Sequence, residues 1–179
     1  MKRFDLVLDY NRLYQFTKDL KILYVEDDDN LRNEILDSFN EIFYSVNVAY
    51  DGNEAIKKYS DYYSDTSQFY DIVITDICMP NMDGITLIEN IYKQNEDQPI
   101  IVISAYNDSD YLLRLINIGI EQFLLKPFNY ERTLEVLYNI SKKIKLQTTK
   151  IDNSHILKLS KDYKWDKKNE VLYCKDKST

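Results

Sequence analysis

Carboxylates, a hydroxyl and an amine close four of the short apolar runs in this chain. Glu26 and Asp27 follow the run 22–25, Asp76 follows 72–74 after Thr75, Ser104 follows 100–103, and Lys126 follows 122–125. Three carboxylates gathered at one place repel one another unless a cation joins them. Hard oxygen ligands that leave positions open for water suit Mg²⁺. A metal-neutralised carboxylate beside a lysine and a hydroxyl is equipped to receive a phosphoryl group. Asp76 would be the nucleophile. Mg²⁺ and Lys126 would neutralise charge on the equatorial oxygens, and Ser104 would donate a hydrogen bond to the product. Taken singly, each position has a plainer reading: a helix cap for Asp27, a β-turn for Ser104, a surface charge for Lys126. Their order, one kind of group per strand end, favours the joint reading.

The joint reading requires that these runs be strands with their carboxyl ends on one edge of a sheet. Residues 72–74 are too few for a helix and lack polar alternation, the pattern of a strand buried on both faces of a parallel sheet. Ligands of open α/β sheets bind outside the carboxyl ends of the strands, which is where Asp76 falls. Pro80 and Asp83-Gly84 then supply a turn. From Lys21 onward the pattern is βα repeated five times. Asp29 or Asn30 can cap the first helix, whose inward face is Leu31, Ile35, Leu36, Phe39 and Ile42. A strand at 45–50 leads to a helix carrying Ala55, Ile56, Tyr59 and Tyr62 or Tyr63. After Asp76 a helix carries Ile85, Ile88 and Ile91, the strand 100–103 leads to a helix at 108–119, and the strand 122–125 leads to a lysine-ended helix at 131–146. Five such units predict an α/β doubly wound sheet.

Both flanks differ from this body. In residues 1–20, Leu6, Tyr10, Leu13, Thr17 and Leu20 fall near one face at ~100° per residue, so this N-terminal extension is either a short amphipathic helix or a frayed tail. Residues 147–154 read as a linker. Beyond it, 156–159, 162–165 and 171–174 read as short strands, too few for an independent core, and are expected to open a second domain that the chain does not finish.

Charge divides the chain in the same way. The net charge of −7 is the sum of 12 Lys+Arg against 25 Asp+Glu in residues 1–141 and 11 against 5 in residues 142–179. An acidic body repels nucleic-acid phosphates, so any DNA contact must come from elsewhere. Cys78 and Cys174 have no metal-ligand spacing, and no apolar run approaches the ~18 residues of a membrane span. With no basic-then-apolar leader, the expectation is a cytoplasmic protein without membrane contact. His155, the single histidine, lies outside the core pattern, so a phosphoryl donor must be another molecule.

Four motifs carry a resemblance to a known family: Leu23-Tyr24-Val25-Glu26-Asp27, Asp76 followed by Met79-Pro80-Asn81-Met82-Asp83-Gly84, Ser104-Ala105, and Lys126-Pro127-Phe128. Over residues 21–146 the chain resembles the receiver domain of two-component response regulators. The resemblance implies a flavodoxin-like (βα)5 sheet of strand order 2-1-3-4-5, Asp76 as phosphoacceptor, and a sensor histidine kinase as donor. It also implies Mg²⁺ held by Asp27, Asp76 and the Cys78 main-chain carbonyl with Glu26 acting through water, and a cis Lys126-Pro127 bond. Phe123 falls where the family keeps a switch aromatic, and without a hydroxyl it would work by packing. Glu26 stands where many members have Asp, and Ile120 where a small residue is common.

Output is expected on the fourth of these helices. From Tyr111 to Ile120 the apolar residues span roughly 220° of the helix, more than a core-facing stripe needs. Similar receivers associate through this helix, the fifth strand and the fifth helix, so Tyr111, Leu115 and Ile116 are expected on a phosphorylation-dependent homodimer face. The alternative is that they cover residues 1–20 or the tail. The segment Asp162-Tyr163-Lys164-Trp165-Asp166 resembles the sheet that precedes the winged helix of OmpR-like regulators. This implies transcriptional output, with DNA bound only through a domain beyond residues 155–179. Two rivals remain: a stand-alone receiver signalling by protein contact, and a phosphohydrolase of the haloacid dehalogenase type. The latter needs a second Asp two positions after Asp76, where this chain has Cys78.

Overall fold

The computed structural model describes the backbone of residues 10–105, 109–127, 129–154, 156–158, 163–166 and 171–174, and the side chains of 11–105, 112–127, 129 and 131–147. Five apolar runs form the strands β1 (Lys21–Val25), β2 (Ser45–Ala49), β3 (Ile72–Asp76), β4 (Ile100–Ser104) and β5 (Gln122–Leu125). All neighbours are parallel, in the order β2-β1-β3-β4-β5, as the flavodoxin-like expectation requires. Every residue of the central strands β3 and β4 is buried, which explains why they carry apolar runs without alternation. The register pairs Val25 with Thr75, Asp76 with Ile103 and Ser104 with Leu125. The polar residues that end these strands therefore share one edge.

Helices α2 (Asp29–Ile42), α3 (Gly52–Thr66), α4 (Gly84–Gln94) and α5 (Ser109–Ile118) connect the strands. Three begin on an aspartate whose carboxylate accepts backbone N–H groups: Asp28 from Asn30 and Leu31, Asp51 from Glu54, and Asp83 from Thr86. The cap of α2 is thus Asp28 and neither Asp29 nor Asn30, because the helix begins one residue earlier than its apolar face indicates. Its two backbone hydrogen bonds hold the Asp28 carboxyl below the usual carboxylate range.

The N-terminal extension takes its helical alternative. In α1 (Tyr10–Thr17), Leu13 and Thr17 are fully buried and Leu20 follows them inward, while Leu6 lies outside the described residues. Phe16 meets the Tyr138 ring edge-on at 5.4 Å, and the Arg12 guanidinium lies 5.4 Å from the same ring centroid. Burying Leu13 alone stabilises this docking by about 1.5–3 kcal/mol.

The expected end of the last helix and the linker after it need correction. The last helix, α6 (Tyr130–Ser154), does not stop at Leu146 but continues through the stretch read as a linker, since 147–154 contains no Gly or Pro to end it. The chain divides into compact units at 1–141 and 142–179, within this helix. In the second unit β6 (Ile156–Lys158), β7 (Tyr163–Asp166) and β8 (Val171–Cys174) form an antiparallel sheet.

On α5, Leu115 is 1% exposed and belongs to the core, so it cannot lie on an exposed face, whereas Ile116 is 70% exposed. The helix carries two apolar stripes, Leu112, Leu115 and Ile118 toward the sheet and Leu113 and Ile116 toward solvent. The side chains of Tyr111 and Phe128 lie outside the described residues. No helix among the described residues is long and apolar enough to cross a membrane.

Candidate functional site

The strand order changes direction between β1 and β3, which opens a crevice at their carboxyl ends. β1 delivers Glu26, 1% exposed, and Asp27, exposed; β3 delivers Asp76, 7% exposed. Ligand oxygens of these three carboxylates lie within 4.8 Å of one another.

From the far side of the sheet, β5 delivers Lys126. Its Nζ donates to Glu26 Oε2 at 2.8 Å, to Glu26 Oε1 at 3.0 Å and to Asp76 Oδ2 at 2.5 Å. The Lys126 N–H donates to the Ser104 carbonyl at 2.8 Å, and the Lys126–Pro127 bond is cis, as the resemblance implied. Asp76 therefore has two unlike oxygens. Oδ1 accepts the Ile77 N–H at 2.5 Å and the Cys78 N–H at 3.3 Å, while Oδ2 faces the ammonium.

Burial pushes the Glu26 carboxyl above its usual range, and the Lys126 ammonium beside it only partly offsets that. For Lys126 the order of effects reverses: burial alone would lower it, but the Asp76 and Glu26 carboxylates outweigh burial and raise it. Below Glu26 the buried Tyr24 hydroxyl donates to Oε2 at 3.4 Å, and its own ionisation is displaced strongly upward by burial and by that carboxylate.

Three carboxylates against one ammonium leave an excess of negative charge, and the donor set is all hard oxygen. The residues fit a small divalent cation such as Mg²⁺. Ser104 is buried at the end of β4, and Phe123, half-buried, packs against the core cluster that contains Val102 and Leu115. Cys78 is exposed, its thiol pushed up by burial and then by Asp76, Asp83 and Asp27. The geometry thus brings Glu26, Asp27, Asp76 and Lys126 together, with Ser104 on the adjoining strand end.

Sequence reading missed the wall around this cluster. Gly84 N–H donates to the Ile77 carbonyl at 2.8 Å, and a Cβ at Gly84 would stand 2.0 Å from the Asp76 carbonyl oxygen. The αL residue Asn81 (φ 65°) donates from Nδ2 to Asp51 Oδ2 at 2.6 Å, and Gly52 N–H donates to Met82 O at 3.2 Å. The loop after β3 is thereby stitched to the loop after β2. The only sequence signal was the pairing of Asn81 with turn residues.

Residues 22–138 match the family model described as Response regulator receiver domain. The chain is 32% identical over 114 residues to Response regulator ArlR of Staphylococcus saprophyticus, covering 64% of this chain and 49% of that protein. It is 28% identical over 160 residues to Transcriptional regulatory protein RprY of Bacteroides fragilis, covering 89% of this chain and 64% of that protein. The chain thus spans about half to two thirds of these relatives. Among solved structures it is similar to the CheX-CheY-BeF3-Mg²⁺ complex from Borrelia burgdorferi, with 30% identity, a TM-score of 0.62, and coverage of 71% of this chain and 92% of that one.

Proposed function

Because the chain belongs to the response regulator receiver domain family, we propose that it is switched by phosphorylation of Asp76, with a sensor histidine kinase as donor. One observation carries the choice of Asp76. Asp76 has one oxygen that accepts two backbone amides and the other facing Lys126, whereas both oxygens of Glu26 face the ammonium. In the transfer, an Asp76 oxygen attacks the phosphorus, the P–N bond of the donor phosphohistidine breaks, and an acyl phosphate forms. Lys126 moves its contact from the carboxylates to a phosphoryl oxygen, and the Ser104 hydroxyl donates to another. A Mg²⁺ ion held by Asp27, Asp76 and the Cys78 main-chain carbonyl, with Glu26 through water, would neutralise the charge that builds on the phosphoryl oxygens.

The protein signals rather than turns over a substrate, and it does so in the cytoplasm. Output runs through α5, β5 and α6, where Leu113, Ile116 and Leu125 are exposed and fit a two-fold dimer. Phe123 follows Ser104 by repacking. Regulation of transcription, through an OmpR-like winged helix beyond residues 155–179, is supported by the match to RprY, which extends well past the receiver. The stand-alone receiver is the second reading, supported by the likeness to a CheY chain that is almost wholly covered.

The test is phosphorylation by acetyl phosphate or phosphoramidate with Mg²⁺. The expected product is an acid-stable, base-labile adduct on Asp76, lost in Asp76→Asn and in EDTA. Unchanged labelling of Asp76→Asn would place the acceptor elsewhere.

A further inference from the structure

Arg32 sits on the first turns of α2 yet is only 6% exposed, an uncommon place for a guanidinium unless it is paired. Its partners are three. Nη1 donates to the main-chain carbonyl of Glu26 at 2.8 Å, Nη2 pairs with Asp29 Oδ1, and Cζ lies 4.5 Å from the centroid of the Tyr50 ring. Tyr50 is 53% exposed and is itself anchored, its N–H donating to Glu54 Oε2 at 2.8 Å. The Glu26 N–H donates to the Ala49 carbonyl at 3.1 Å. Glu26 is therefore gripped at both main-chain polar groups, by β2 on one side and by Arg32 on the other.

The carbonyl that Arg32 holds belongs to the Glu26–Asp27 peptide. A peptide unit is planar, so holding its oxygen restrains the plane that carries the Asp27 N and Cα, and leaves rotation about the N–Cα bond as the freedom that still turns the Asp27 Cβ. Asp27 is the exposed carboxylate of the cluster, and burial does not constrain it as it constrains Glu26. We propose that Arg32, held over the Tyr50 ring, is a positioning residue that aims Asp27 at the cation. This rests on the reading of the acidic pocket as a Mg²⁺ site. The planar fork of arginine reaches a carbonyl, a carboxylate and a ring face at once, which a lysine ammonium cannot do.

Charge and positioning make opposite predictions here. Arg32 is a cation near the site, so on charge alone its removal tightens Mg²⁺ binding; loss of aim weakens it. The experiment is calorimetric titration of the full chain with Mg²⁺ alone, with folding checked by circular dichroism. Arg32→Met and Arg32→Lys are each expected to bind Mg²⁺ about tenfold or more weakly, as for other groups that orient metal ligands. Tyr50→Leu, on the surface, is expected to lose about two- to fivefold, what an exposed cation–π contact supplies, and Tyr50→Phe to bind as wild type. If the Arg32 variants do not fold, the Tyr50 pair decides. Equal or tighter binding by Arg32→Met, or by Tyr50→Leu where that pair decides, overturns the positioning role while leaving the site. Absence of Mg²⁺ binding by the wild type overturns the reading of the pocket itself.

Discussion

The two ends of the parallel sheet both draw a carboxylate inward, half-buried Asp71 at one and buried Glu26 and Asp76 at the other, with opposite results. At the amino end, Asp71 accepts the Lys21 N–H on Oδ2 at 2.7 Å while its own N–H donates to the Lys21 carbonyl at 2.9 Å. The residue closes the β1–β3 ladder before it begins, and its charge is answered by backbone. At the carboxyl end, Glu26, Asp27 and Asp76 converge faster than backbone donors can answer them, and Lys126 answers only part. A buried carboxylate becomes reactive where strand topology piles several together beside a loop that turns amides toward one of them. Where it meets a single strand partner it stays a piece of framework. Substitutions at the two ends should therefore separate cleanly.

Among substitutions around the acidic pocket, the largest effect is expected at Gly84. A methyl there meets the Asp76 carbonyl oxygen at 2.0 Å, so Gly84→Ala forces the backbone that carries the nucleophile to shift. Such overpacking costs about 1–3 kcal/mol or more, roughly 3–10 °C in Tm for a chain of this size. Labelling of Asp76 should fall with it. A variant that melts and labels as wild type does would mean that the loop after β3 is not the tight frame described above.

Next is Asp27→Ala. Removing one of three like charges relieves repulsion in the metal-free protein, so the fold should be unharmed or slightly steadier while the response to Mg²⁺ disappears. For the wild type, Mg²⁺ at a hundredfold excess over Kd contributes about 2.7 kcal/mol, or roughly 5–10 °C. Melting curves with and without Mg²⁺ measure both quantities, and a retained shift in the variant places the cation elsewhere. Smaller still is Ile116→Glu on the outer stripe of α5. It should leave Tm within about 0.5 kcal/mol of wild type, as exposed substitutions do, and abolish a beryllofluoride-induced dimer in sedimentation. Leu115→Glu, by contrast, should unfold the core. A monomer under every condition removes the dimer from the proposed output.

This separation also marks what the sequence could tell. The strand ends were legible because apolar runs three or four residues long stop at chemically distinct residues, and strand topology does the rest. The acidic pocket needed no side-chain geometry to be placed. The orientation of α5 was not legible, since two apolar stripes at 100° spacing fit the core equally well until the sheet selects one. Arg32 was invisible because an arginine at the start of a helix reads as solvated, and only the proximity of the Glu26 carbonyl and Tyr50 turns it inward. The end of α6 was misplaced because lysines favour a helix C-terminus but do not stop a helix. The cap of α2 was one of three adjacent polar residues, any of which accepts backbone N–H groups equally well.

The smallest effect tests the amino end by its pH dependence. Burial holds the Asp71 carboxyl above its usual range of about 3.8, and the Lys21 N–H and ammonium only partly oppose this. Between the unfolded value and the raised folded value the native state holds more protons than the unfolded chain. Stability from this group is therefore greatest at low pH and is lost as pH rises through the folded value. Asp71→Asn keeps an oxygen to accept the Lys21 N–H but has no charge to bury. Its Tm relative to wild type should be near zero at pH 3 and should grow positive by pH 7, with Asp76 labelling unchanged throughout. A variant less stable than wild type at pH 7 would mean that the charge of Asp71 is itself stabilised, by Lys21, and that the two ends of the sheet treat their carboxylates alike.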